Sequence, residues 1–234
     1  GCDLPQVSAE QRIFLDLSLD FLSSYKLPKQ KFQDTPVGGL SALTYDRQRN
    51  LVYAISDDRS EFAPARFYTL KLNLDAANPK NPKIKQIDVT GVTFITDEAG
   101  KPYAKGEVDP EGIVLSPLGT LFINPFVREF DLKTGKWKRS LLIPNRYLPK
   151  TENGKQTQGV GDNLGFESLT LNMSGGSTVA IEPFRLFTAT ESALMQDASP
   201  EHPQQGASRN RVLHYSLDPT YSLLISEHLY EMEP

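Results

Sequence analysis

Three stretches of this chain repeat one another, and that repetition constrains the fold more than any other feature. They are Gly39-Leu-Ser-Ala-Leu-Thr-Tyr-Asp46, Pro110-Glu-Gly-Ile-Val-Leu-Ser-Pro117 and Gly165-Phe-Glu-Ser-Leu-Thr-Leu-Asn172. In register, Ser41, Glu111 and Glu167 share a column, followed by a small residue (Ala42, Gly112, Ser168) and an apolar one (Leu43, Ile113, Leu169). The column recurs after 70 and then 56 residues, long enough for a four-stranded unit with its loops. The expectation is an all-β fold, a β-propeller with three recognisable four-stranded blades.

Strand and turn signals fill in each blade. The first reads 40–45, 51–56, 66–72 and 84–89. The second reads 112–115, 120–123, 127–132 and 137–143, and the third 166–171, 186–190, 211–217 and 222–230. Residues 195–208, rich in Gln, Pro, Ala and Ser, read as a surface loop. Residues 1–12 read as a tether and 13–234 as the propeller domain. The partly alternating stretch 13–27 reads as an extended strand that completes the last blade, with a helix as the competing reading. A closed propeller needs at least about four blades, so the chain reads either as an incomplete ring, the N-terminal part of a longer protein, which is the favoured reading, or as a ring that closes in another way.

Composition narrows the function. With 38% hydrophobic and 23% charged residues and a net charge of −4, the chain suits a soluble globular domain and lacks the basic face that nucleic acid requires. No apolar run approaches the roughly 18 residues of a membrane span. The one cysteine, Cys2, follows Gly1. That placement fits either a lipidated N-terminal residue, as in a bacterial lipoprotein, or an incidental thiol. The only membrane contact expected is through such an anchor.

In a propeller the innermost strands line a central channel, so acids at their starts converge on one axis. Glu111 and Glu167 are expected there, joined by Asp57 and Glu191 at the ends of second strands. Carboxylates gathered at one mouth repel unless a cation lies among them, and calcium is the hard cation that suits oxygen ligands. The alternative is structural: such acids also accept backbone N–H bonds or pair with arginine. Arg66 and Arg211 open third strands beside these acids, and with Arg59 they offer forked donors either to the acids or to a phosphate or carboxylate ligand. No nucleophile elbow, His-Glu-x-x-His motif or phosphate-binding glycine loop is present.

Taken in order, Gly38–Asp46, Tyr53–Arg59, Ala65–Thr69, Asp109–Ile113, Asn163–Leu169, Thr188–Ser192 and Arg209–Leu213 resemble the phytase-like family described as having esterase-like activity. The resemblance spans roughly residues 36 to 230. It implies a propeller, a periplasmic or extracellular location in the cell envelope, and hydrolysis of phosphate or other esters. Carried over by position, it implies Asp57, Asp58, Glu111, Glu167 and Glu191 as metal ligands, with Arg59, Arg66 and Arg211 toward substrate. Phe126 is expected in the column of Asp57 and Glu191, at the cost of one carboxylate. Two functions stand open: a metal-dependent esterase or phosphoesterase, and a non-catalytic propeller lipoprotein that binds a ligand or partner.

Overall fold

Each repeat becomes one antiparallel sheet in which chain order and spatial order coincide. The computed structural model describes residues 18–75, 77, 81–125, 127–162, 164–172, 183–197 and 209–231. The first sheet is β3 (Leu40–Asp46), β4 (Leu51–Ser56), β5 (Arg66–Asp75) and β6 (Lys83–Phe94). The second is β7 (Ile113–Leu115), β8 (Thr120–Ile123), β9 (Arg128–Asp131) and β10 (Trp137–Ser140). The third is β13 (Phe166–Asn172), β14 (Phe184–Thr190), β15 (Arg209–Leu217) and β16 (Ser222–Glu231). The fold is all-β, with four-stranded antiparallel sheets of the propeller kind that do not close on themselves.

The second strands explain the packing. In β8, Leu121 and Ile123 join a core with Tyr53, Ile55 and Phe67 of the first blade, while Phe122 joins another with Phe166, Phe184 and Leu186 of the third. The second sheet is therefore covered on both faces, and the first packs a further core around Val52, Ala54 and Tyr68 on its other face, which is why Val52–Ile55 and Leu121–Ile123 read as continuous apolar runs while β14 of the third sheet alternates. The first strands lie side by side, β7 between β3 and β13, and the Leu115 N–H donates to Thr44 Oγ1 at 3.0 Å.

Short turns join the strands, and aspartates lock three of them. Asp46 Oδ1 accepts the N–H groups of Gln48 and Arg49. Asp131 Oδ1 does the same for Lys133 and Thr134, and Asp218 Oδ1 for Thr220 and Tyr221. These acids face the hairpin turns and take no part in the site below.

Two hairpins lie outside the sequence reading: β1 (Gln30–Phe32) with β2 (Thr35–Val37), and β11 (Lys150–Glu152) with β12 (Lys155–Gln158). The expected closing strand does not form among the described residues. From 18 to 28 the chain carries no ladder, Leu19 and Phe21 are exposed, and Ser23 Oγ takes the Ile84 N–H as a side-chain contact. Residues 18–28 run past the edge strand β6 and touch it through Ser23, and Leu27 packs against the first blade's core, without backbone pairing. Residues 1–17, including Cys2, and most of the 195–208 loop lie outside the described residues. Among the described residues no helix is long and apolar enough to cross a membrane.

Candidate functional site

One backbone bond recurs in every blade and sets the level of the site. Asp57 N donates to Gly39 O at 2.8 Å, Asn124 N to Gly112 O at 3.1 Å and Glu191 N to Gly165 O at 2.9 Å. Asp57, Asn124 and Glu191 are therefore the equivalent residues just past the second strands. This corrects the expectation that Phe126 fills that column: Asn124 does, because β8 ends at Ile123 and the next residue closes the bond. Phe126 itself lies outside the described residues. Asn124 still means that the second blade brings an amide where its neighbours bring carboxylates.

The first-strand column also changes on inspection of the ladder. Leu40 pairs Ser56 and Ala42 pairs Ile55, so Ser41 is the extra residue of a β-bulge. Phe166 pairs Thr190 and Ser168 pairs Ala189, so Glu167 is the same kind of residue. In β7 the register runs unbroken from Ile113, and Glu111 comes from the segment before the strand. Two backbone routes thus bring the two glutamates to one mouth. Ser41 Oγ donates to Pro110 O at 3.2 Å and ties that segment to the first blade.

The electrostatics identify the members. Burial pushes the Glu111 carboxyl up, the charges of Glu167, Asp109, Asp57 and Glu191 push it further, and it titrates at about 7. Glu167 is raised by burial and by Glu191 and Asp109. Asp109 is raised by burial, against the pull of Arg59, and by Asp57 and Asp162. Arg59 is the cation at this mouth, its Nε 3.5 Å from Asp109 Oδ2 and otherwise without a hydrogen-bond partner. Asp109 and Asp162 were not singled out from the sequence, although Asp109 sits two residues from Glu111 and has Pro110 to aim it.

Asp58, Arg66 and Arg211 serve the scaffold. Asp58 accepts the N–H groups of Glu61, Phe62 and Ala63 and an Arg66 Nη1 bond at 2.8 Å. Burial works against its charge, but the Arg66 and amide bonds outweigh it and hold the carboxyl below the usual range. Arg66, only 1% exposed, also donates to Tyr68 Oη and to the carbonyls of Ala63 and Pro36. Arg211 is bound to Asp197 at 2.7 Å and to Glu227. Neither guanidinium has its fork turned outward to a ligand.

Beside the acids opens a cavity of about 580 Å³, lined among others by Ser56, Asp57, Arg59, Phe62, Asp109 and Glu111. Gly39, at φ +55°, belongs to its wall: a Cβ there would fall 1.9 Å from Asp57 Oδ1, so only glycine lets that carboxylate lie across the backbone. The mutually repelling carboxylates offer the hard oxygen chemistry that calcium takes. Among the described residues, however, no three acids or histidines stand close enough together to grip an ion, and no step below is drawn through a metal.

Comparison with known proteins follows the same outline. A family model described as phytase-like, esterase-like activity of phytase, matches residues 35–234. No curated protein matches the chain. A solved structure from Bacteroides uniformis, provisionally assigned as a 6-phosphogluconolactonase, is similar over 86% of this chain at 12% identity and a TM-score of 0.32. The match spans 59% of that structure's own chain.

Proposed function

Because the chain belongs to the phytase-like family, described by its esterase-like activity, we propose that it is an ester hydrolase working at the acidic mouth between its blades. The observation that carries the reading is Glu111, a carboxyl that titrates at about 7 beside the acids Asp57, Asp109, Glu167 and Glu191. A group poised near neutrality takes and returns protons at least cost. In its ionised form Glu111 removes a proton from a water that attacks the ester carbon or phosphorus. The same carboxyl then returns that proton to the departing alcohol oxygen. Arg59 supplies positive charge for the oxyanion that develops between the two steps. The negative lining favours a simple ester or phosphomonoester over a highly charged inositol phosphate.

A second reading is favoured by the repulsion itself. Asp57, Glu111, Glu167 and Glu191 would hold one calcium ion only after drawing closer together than they stand here, and the ion would supply the charge that neutralises them. Attachment to the cell envelope through a lipidated Cys2 belongs to the same proposal, and intact mass measured on membrane-extracted protein checks it.

The deciding experiment is hydrolysis of a chromogenic acetate and a chromogenic phosphate across pH 5–9, with calcium or a chelator, for the native chain and Glu111→Gln. The first reading expects a rate that rises with an apparent pKa near 7, is indifferent to chelator, and falls about 100-fold or more in the variant. Activity that needs calcium, with a calcium-dependent rise in melting temperature lost in Glu167→Gln, selects the second. No turnover of either substrate leaves a ligand-binding propeller.

A further inference from the structure

The cavity beside Glu111 carries a pattern of charge and aromatic surface that the hydrolase reading does not use. Its lining holds five acids, Asp57, Asp58, Glu61, Asp109 and Glu111, against two cations, Arg59 and Arg66. Pairing removes three of the acids. Asp58 is bound to Arg66 at 2.8 Å, Asp109 to Arg59 at 3.5 Å, and Glu61 to Lys105 at 2.7 Å. Asp57 and Glu111 are left without a cationic partner among the described residues. Facing the same space is Phe62, 78% exposed at the turn whose amides Asp58 holds.

A largely exposed aromatic ring and an exposed, unpaired carboxylate lining one cavity suit a weakly hydrated organic cation. The ring attracts it through its quadrupole and the carboxylate through its charge. An anionic substrate finds less: Arg66 is consumed by Asp58, Arg59 alone stands near the mouth beside Asp109, and the free carboxylates repel it. A hard metal ion would gain nothing from Phe62. We propose that the cleft selects an ester bearing a quaternary or primary ammonium group, seated between Phe62 and Asp57 with its ester bond directed to Glu111. This rests on the hydrolase reading of the same mouth and names its substrate class.

The test compares two isosteric esters, acetylcholine and uncharged 3,3-dimethylbutyl acetate, for both binding and turnover on the full chain. Binding of the charged ester is expected to be roughly two- to tenfold tighter, with most of that preference lost in Phe62→Ala and in Asp57→Asn. Phe62 is exposed, so its replacement leaves the fold in place, and an unchanged melting temperature verifies that. Equal binding of the two esters, or a preference that survives Phe62→Ala, overturns the proposal. So does calcium that displaces the charged ester equally well from the native chain and the variant at the same midpoint, with no contribution from the ring. Preferential binding of the charged ester without turnover of either would uphold the cation site and defeat the hydrolase reading. Turnover of both at equal kcat/KM would do the reverse.

Discussion

A Cβ placed on Gly112 would stand 2.8 Å from Asn124 Nδ2 and 3.0 Å from the Leu169 Cβ, so glycine and amide meet where no larger residue fits. Asn124 is 1% exposed, and its Nδ2 donates to Ser168 O at 3.2 Å across to the third blade. This contact joins two blades one residue along the chain from Glu111 on one side and from Glu167 on the other.

Gly112→Ala should therefore cost about 1–3 kcal/mol by overpacking. Gly165→Ala is the control, since its Cβ would meet only Pro125 Cβ at an ordinary 3.7 Å, and it should stay within about 0.5 kcal/mol. Urea unfolding of both measures the difference. Equal losses would mean that the blades do not meet as tightly as the contact implies.

Glu111 keeps its proton to about pH 7 in the fold, against an ordinary value of 4.5. A carboxyl raised on folding binds more protons folded than unfolded between those values. Its contribution to stability thus falls as pH rises through that window and is level above it. Glu111→Gln removes the penalty, so the variant should gain on the native chain from pH 5 to pH 7, reaching roughly a few degrees in melting temperature. Melting curves at a series of pH values check this, and a constant offset would show that Glu111 does not titrate there.

Glu227 has the opposite sign. Burial disfavours its charge, but bonds from Arg146, Tyr147 and Arg211 outweigh that and lower the carboxyl to about 2. Its stabilisation is present above the ordinary 4.5 and lost as pH falls toward 2. Glu227→Gln should lose about 1–3 kcal/mol at pH 6 and much less at pH 2.5, as acid-dependent unfolding would reveal.

Asp58 and Arg66 form a buried pair, 6% and 1% exposed at their side chains. Removing one partner strands the other, so Asp58→Ala should cost about 3–5 kcal/mol, whereas Asp58→Ala with Arg66→Met should recover part of it. A double-mutant cycle measures the coupling, and strictly additive losses would argue against it. The single variant also frees three loop amides and should disorder the Phe62 turn, visible as faster hydrogen exchange at Glu61–Ala63.

Much of this was legible beforehand. The apolar runs at 51–56 and 120–123, bounded by turn residues, mark the second strands to the residue. The first-strand repeat marks three equivalent sheets. Glu111 and Glu167 were singled out by their recurrence, and the structure brings their charges together. Residues 18–27 carry no ladder because partial alternation shows what a segment could bury and not whether its backbone pairs, and here Ser23 meets β6 through its side chain alone.

The repeated pattern of turns and apolar strands by itself determined the sheets, since strand order follows the chain and each strand needs only its neighbour. Tertiary structure alone decided which acids are free. Asp57 and Asp58 are adjacent and chemically alike, yet one lies across Gly39 at the cavity while the other is consumed by Arg66 and three amides. Bulges at Ser41 and Glu167, absent from β7, likewise set which side chain reaches the mouth. A carboxylate's role depends on its partners and on its exclusion from water, and both come from residues distant in the chain.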